Sequence, residues 1–350
     1  MGNAGEWQKA SPEAVGVDSA RLERMTEVIR QTPDWRIHAL LIEKDHRLIY
    51  ETYLSGVDEK WGDPLGMVDF GPDVRHDLRS ITKSVVSALV GVALNSGAIP
   101  SLDMPLIDAF PEYADLRTDE RLRIRLRHAL SMTAGLDWNE EVPYSDPAND
   151  EIAMTFSPEP LRYVLSRPIV ADPGVGFRYN GGLTQVLAAI LQRGTGIALS
   201  DYAEKVLFGP LGISEYEWLG DIDGMPAAAS GLRLSAHDLA RFASLYLHGG
   251  EWEGKTVVPA DWVAASTQRQ FAFDEAGTSG YGYQWWYGQA ETPSGETVVV
   301  PRAIGNGEQR IFLLPTRNAA VTILAGRYND FSFSPTEQIL REHLVPALYA

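Results

Sequence analysis

The chain is 350 residues long, carries a formal net charge of −17 and contains no cysteine. That length can bury a substantial core in one large domain or two intimate ones, and the acidic balance argues against nucleic acid or anionic lipid surfaces as partners. The lack of thiols excludes disulfides, thiolate nucleophiles and cysteine-ligated zinc.

In chain order, Met1 to Glu6 carry neither a basic region nor an apolar stretch, so no secretory signal is expected there. A short amphipathic helix is predicted over 19–31. Strand-like runs over 37–43 and 48–53 follow, joined by the polar turn Lys44-Asp45-His46, which reads as a β-hairpin. From about 80 to 218 the pattern is mostly helical, punctuated by Asn95-Ser96-Gly97, Thr133-Ala134-Gly135, Asp172-Pro173-Gly174 and Gly194-Thr195-Gly196. The longest apolar-leaning helical run, 85–94, is interrupted by Ser87 and too short to cross a bilayer, so a soluble protein is expected.

Towards the C-terminus, 297–300, 309–314 and 320–324 are rich in β-branched and apolar residues and read as successive antiparallel strands. Ser334-Pro335-Thr336-Glu337 then offers a capping hydroxyl, a proline at the first helical position and a reciprocal glutamate before a closing helix over 339–348. Strands at both ends around a helical middle imply an α+β fold, with the sheet assembled from distant segments. The expected division is 1–79 as the N-terminal part of the α/β domain, 80–225 as a helical region and 226–350 as the C-terminal part.

One pattern carries chemistry. Arg79-Ser80-Ile81-Thr82-Lys83 opens a helix whose apolar positions Ile81, Val85, Leu89 and Val92 recur at helical spacing, so Ser80 sits in the first turn and Lys83 on the same face. A serine hydroxyl needs an adjacent base, and a lysine desolvated in a cleft can supply one. A helix-capping serine beside a solvated lysine would give the same pattern. This is, however, the only Ser-x-x-Lys in the chain, and its helix looks buried rather than charge-decorated.

Other constellations are weaker. No Gly-x-Ser-x-Gly elbow occurs. His76-Asp77 and His237-Asp238 lack the spacing of zinc hydrolases and read as surface or helix-end residues, so no metal is expected. Asp137, Glu140 and Glu141 read as a solvated loop. Gly194-Thr195-Gly196 lacks the rest of a phosphate loop. The aromatic patch Tyr281, Tyr283, Trp285, Trp286 and Tyr287 reads as a mixture of core and acyl pocket.

With Ser80 and Lys83 in place, further segments make the chain resemble the serine β-lactamase and penicillin-binding-protein superfamily, in the class C-like branch of family VIII carboxylesterases and 6-aminohexanoate-dimer hydrolases. They are Leu130-Ser131-Met132-Thr133-Ala134-Gly135-Leu136-Asp137-Trp138, Phe177-Arg178-Tyr179-Asn180-Gly181-Gly182, the stretch from Gly231 to Ala240, Gly280-Tyr281-Gly282-Tyr283-Gln284-Trp285-Trp286, and Gly305-Asn306-Gly307-Glu308-Gln309-Arg310-Ile311-Phe312. The resemblance implies a β-lactamase/transpeptidase-like fold and Tyr179 as a proton-moving partner of Lys83. It also implies an oxyanion hole from the backbone amides of Ser80 and Gln309, and substrate contacts from Asn180, Asn306, Gly307 and Trp285.

Two departures shape the expected substrate. The family's Lys-Thr-Gly triplet corresponds to Asn306-Gly307-Glu308, which removes a cation and adds a carboxylate, so anionic β-lactams become poorer substrates. The usual third-position asparagine of the second motif is Gly181, with Asn180 one place earlier. The expectation is therefore a hydrolase of small carboxylic esters acting through an acyl-enzyme on Ser80, without a cofactor. The alternatives are an amidase, a β-lactamase or D-Ala-D-Ala peptidase using the same residues, or a non-catalytic penicillin-binding sensor or scaffold.

Overall fold

The computed structural model describes residues 7–349; the segment Met1 to Glu6, expected to hold no secretory signal, lies outside the described residues. The framework is an eight-stranded antiparallel sheet with the spatial order Phe271–Ala272, Gly280–Tyr281, Trp286–Tyr287, Arg302–Gly305, Gln309–Leu314, Ala319–Ala325, Ile37–Lys44 and Arg47–Tyr53. Two N-terminal strands thus complete a sheet begun by the C-terminal third, as the α+β reading requires. The seam is the pairing of Leu40 with Ile323 and Ile42 with Val321.

Both faces of this sheet are covered, which explains why its central strands are almost continuously apolar. Successive side chains alternate between faces. Leu40, Ile42, Phe312, Leu314, Val321 and Ile323 join Leu22, Met25 and Ile29 of the helix Ser19–Gln31 and Leu340, Leu344 and Val345 of the C-terminal helical stretch. Ala39, Leu41, Ile311 and Leu313 face the opposite way, into the larger core that includes the helix Ala236–Leu247. Each fully buried Leu or Ile here contributes about 1.5–3 kcal/mol of transfer free energy.

In the larger core lies the helix Ile81–Asn95, packed against Gly181–Thr195. Its Ile81, Val85, Val86, Leu89, Val90 and Ala93 are fully buried along one half of the helix, and Lys83, Ser84, Ser87 and Ala88 are buried on the other, so the helix is enclosed until its last turn. Gly91 is required by close packing, since a Cβ there would come within 2.2 Å of the Trp262 indole. Among the described residues no helix is long and apolar enough to cross a membrane.

Three local expectations change. The run at 297–300 joins not the main sheet but a separate two-stranded hairpin with Gln289–Glu291. Pro301, lacking an N–H, follows that strand, and Arg302–Gly305 pairs with Gln309–Leu314 in the main sheet. A hairpin, Gly56–Lys60 with Asp63–Val68, appears where no strands were expected, with Val57, Leu65 and Met67 exposed on it. At the closing helix, Ser334 does cap the Glu337 N–H, but the Glu337 carboxylate does not reciprocate. It binds the Arg302 guanidinium at 2.6 Å, tying the helix to the sheet.

Candidate active site

The segment that delivers Ser80 is held under strain. His76–Asp77 pairs with Leu232–Leu234, and two residues later Arg79 adopts φ of 50°, a left-handed conformation unfavourable for a side chain with a Cβ. Its guanidinium is fixed by Asp77 at 3.2 Å and by Glu59, over the Tyr328 ring. The Thr82 N–H and hydroxyl both donate to the Arg79 carbonyl, closing the first helical turn. Ser80 therefore stands at the N-cap of Ile81–Asn95 with its side chain free of any capping hydrogen bond.

One helical turn on, Lys83 is 1% exposed. Its Nζ donates to Ser80 Oγ at 3.1 Å and to the Ala229 carbonyl at 3.0 Å, and lies 4.9 Å from the centre of the Tyr179 ring. Tyr179 reaches this point because it immediately precedes the helix Gly181–Thr195, and its ring stacks on Trp286. Burial, then the negative charge of Glu140, hold the Tyr179 phenol far above its ordinary pKa, while the nearby Ser80 hydroxyl acts in the opposite direction. Tyr179 is thus a phenol at neutral pH, not a standing phenolate. Ser80, Lys83 and Tyr179 meet at one point.

Ser80 opens onto two adjoining hollows of about 430 and 160 Å³, which share Ser80, Tyr144 and Asn306. Gly307 borders the smaller one, so two of the expected substrate contacts face the cleft. The other two do not. Asn180 is buried, and its Oδ1 accepts the Leu183 N–H as a helix cap. Trp285 is wholly buried against Tyr246 and Phe242. Its neighbour Trp286 lines the cleft instead.

The expected oxyanion donor Gln309 lines neither hollow. It pairs with Gly305 across the hairpin, is fully buried, and holds Ala325 through its amide: Oε1 accepts the Ala325 N–H at 3.0 Å. On this side the smaller hollow beside Ser80 is lined by Ile304, Gly305, Asn306, Gly307, Glu308 and Arg310. Glu308, expected to repel anionic substrates, is neutralised by Arg310 at 2.8 Å and accepts from Ser334 and Thr336.

Sequence reading missed an acidic pair beneath the cleft. Glu140 is not a solvated loop residue: its Oε2 accepts the Trp138 indole N–H at 2.5 Å and the Gly181 backbone N–H, and its Oε1 accepts the Tyr144 hydroxyl. Glu151, buried beside it, accepts from Ser230 and lines the larger hollow. Burial and the adjacent Glu151 charge push the Glu140 carboxyl up to about 8, against the pull of Lys83 and the Gly181 N–H. No spacing rule links residues 140 and 151 to Tyr179. Asp137 and Glu141 do stay outside, Asp137 pairing with Arg178 at 3.1 Å.

A family model described as Beta-lactamase matches residues 29–342. The chain is 28% identical over 282 residues to 6-aminohexanoate-dimer hydrolase of Paenarthrobacter ureafaciens, covering 75% of this chain and 67% of that protein. Among solved structures, EstCE1, a hydrolase with promiscuous acyltransferase activity, superposes with a TM-score of 0.70 at 18% identity, over 95% of this chain and 99% of that one. The class C β-lactamase from Rhodobacter sphaeroides gives a TM-score of 0.65 at 19% identity, over 90% of this chain and 95% of that one. These likenesses, with the antiparallel sheet and the buried lysine beside a helix-start serine, place the chain in the β-lactamase family of the serine hydrolase superfamily.

Proposed function

We propose that this protein hydrolyses small carboxylic esters through an acyl-enzyme on Ser80. The observation that carries the reading is Lys83 Nζ, buried and 3.1 Å from Ser80 Oγ at the mouth of the cleft. Ser80 Oγ attacks the ester carbonyl and gives its proton to Lys83 Nζ, which acts as the free amine. The resulting oxyanion rests on the Ser80 backbone amide and on a second amide from the stretch 304–307. Tyr179, a phenol, then protonates the departing alkoxide and recovers its proton from the Lys83 ammonium formed in the first step; a water that gives its proton to Lys83 next attacks the acyl-enzyme, and the acid leaves as Ser80 Oγ is reprotonated along the same path. Donors aimed at the oxyanion are worth about 3–4 kcal/mol each in such sites, the largest single contribution expected here.

Electrostatics support esters over β-lactams. Glu59 and Glu151 border the larger hollow, and Asn306 stands where the family usually presents a cation, its amide committed to Asn329 at 2.7 Å. A substrate carboxylate finds little to pair with, since the two guanidiniums bordering the hollows are already held, Arg79 by Asp77 and Glu59 and Arg310 by Glu308. Amide hydrolysis with the same residues is the second reading, favoured by the likeness to 6-aminohexanoate-dimer hydrolase. Steady-state comparison of p-nitrophenyl butyrate, its anilide and a chromogenic cephalosporin decides among them. Preferential ester turnover upholds the proposal, and preferential cephalosporin turnover replaces it with a β-lactamase. Acylation without release would instead indicate a penicillin-binding sensor.

A further inference from the structure

Three side chains with no part in this chemistry meet inside the fold. His38 comes from the strand Ile37–Lys44, Asp58 from Gly56–Lys60 and His76 from His76–Asp77. Their exposures are 0%, 2% and 0%, so His76 is a core residue and not the surface histidine that its sequence context implied. One ligand atom of each lies within 4.8 Å of the other two. His38 Nδ1 is 3.0 Å from His76 Nε2, and Asp58 Oδ1 is 3.4 Å from the same nitrogen. A tetrahedral dication with bonds of about 2.0–2.1 Å holds its ligand atoms about 3.3 Å apart.

His38 Nε2, the far nitrogen of the first ring, is buried without a hydrogen-bond partner among the described residues. His76 Nδ1 lies 3.0 Å from the Asp77 carbonyl oxygen, which can only accept. The ring proton of neutral His76 is therefore on Nδ1, and Nε2 turns a lone pair toward His38 and Asp58; without an ion His38 Nδ1–H donates to it at 3.0 Å, and with the His38 proton on Nε2 the first ring offers a lone pair as well. A backbone carbonyl fixing the far nitrogen is the arrangement that orients metal-bound imidazoles. An ionised Asp58 also offers only lone pairs. Its Oδ1 accepts the Tyr328 hydroxyl at 2.9 Å, while Oδ2 is buried without a hydrogen-bond partner among the described residues. A buried carboxylate facing two neutral imidazoles lacks a counter-charge in direct contact. A dication supplies it and accepts all three lone pairs at once.

We infer that His38, Asp58 and His76 form a binding site for a transition-metal dication of the zinc type. Two imidazoles and one carboxylate suit zinc or cobalt(II) in preference to magnesium or calcium, whose ligand sets are all oxygen. His38 also borders a surface hollow of about 380 Å³ flanked by Arg36, Gly56 and Val57, which gives the ion a route in. The role is structural. The site ties two N-terminal strands to the segment that reaches Ser80 four residues later, and no step of ester hydrolysis passes through it.

The test is titration of the chelator-treated full-length protein with zinc and with cobalt(II). The readouts are bound metal after gel filtration, the visible cobalt absorption and the melting temperature. About one ion per chain, a four-coordinate cobalt spectrum and a melting temperature that rises with zinc are expected. Asp58→Asn, which keeps the side-chain shape, should bind at least about 10-fold more weakly. Removing the other close histidine pair, His46 and His248, stacked at 3.5 Å beside Glu43, as H46A/H248A should leave binding unchanged. Substoichiometric metal, an octahedral cobalt spectrum in the wild type, or loss of binding in H46A/H248A would each overturn the assignment. The wild-type spectrum decides the matter even if Asp58→Asn does not fold, and none of these readouts depends on esterase activity.

Discussion

The Glu140 carboxylate accepts the backbone N–H of Gly181, two residues beyond Tyr179. One contact thus couples a buried acid to the segment that holds the phenol over Lys83. The geometry leaves no room at Gly181: a Cβ would meet the Glu151 carboxylate at 2.1 Å. Gly181→Ala is therefore expected to cost about 1–3 kcal/mol of stability, the usual range for forced overpacking, and to lower kcat by displacing Tyr179. Chemical denaturation and steady-state kinetics on one preparation check both. A loss of stability with unchanged kcat would disconnect the acidic pair from the phenol.

Glu140 also gives stability a pH dependence of known sign. Its folded-state pKa is raised to about 8 from an ordinary value of 4.5. Between these two pH values the folded chain therefore holds a proton that the unfolded chain has released. Stability from this group is fully present below about pH 4.5 and declines as pH rises toward 8. Glu140→Gln should remove that decline, so its stability relative to wild type improves from pH 5 to pH 8 in parallel urea melts. A constant difference between the two proteins across that range would contradict the assignment.

Adjacent tryptophans should behave oppositely. Trp285→Ala empties a wholly buried site and should cost about 3–5 kcal/mol. Trp286→Ala removes a partly exposed wall of the cleft that stacks on Tyr179. It should leave most of the stability and raise KM for acyl esters several-fold. Melting curves and kinetics on the pair decide this, and a destabilised Trp286→Ala with intact kinetics would reverse the assignment.

That contrast also shows where sequence reading reached its limit. The meeting of Ser80, Lys83 and Tyr179 was legible because helical spacing joins the first two and motif resemblance supplied the third. The two-ended sheet followed from apolar runs at 37–43, 309–314 and 320–324. Choosing Trp285 over Trp286 needed the strand register, since neighbouring positions face opposite ways. Gln309, expected as an oxyanion donor, lines neither hollow, whereas Gly305, Asn306, Gly307, Glu308 and Arg310 around the same hairpin turn line the smaller one. Glu140 and Glu151 meet only because the long stretch after Trp138 folds back under Gly181, a tertiary event with no local signature.

Gly91 offers a control for packing without chemistry. Gly91→Ala drives a methyl into the Trp262 indole and should lower stability by about 1–3 kcal/mol while kcat per folded molecule stays unchanged. Active-site titration alongside thermal melting tests this. A fall in kcat would mean that the far end of the nucleophile helix is coupled to Ser80.

Tyr179→Phe keeps the ring stacked on Trp286 but removes the hydroxyl. It should cut kcat/KM by about 10²–10⁴-fold, with Lys83→Ala at least as severe, because both act on one proton path. Retention of activity in either variant, shown folded by circular dichroism, would break the proposed unit.

The central claim is that Ser80 carries the acyl group, and the most direct measurement is intact-mass and peptide-level mass spectrometry of the protein quenched during turnover of p-nitrophenyl butyrate. The account predicts a transient butyryl adduct on the peptide containing Ser80, and neither adduct nor turnover in Ser80→Ala. Turnover by Ser80→Ala at the wild-type rate, or an adduct on another residue, would contradict it.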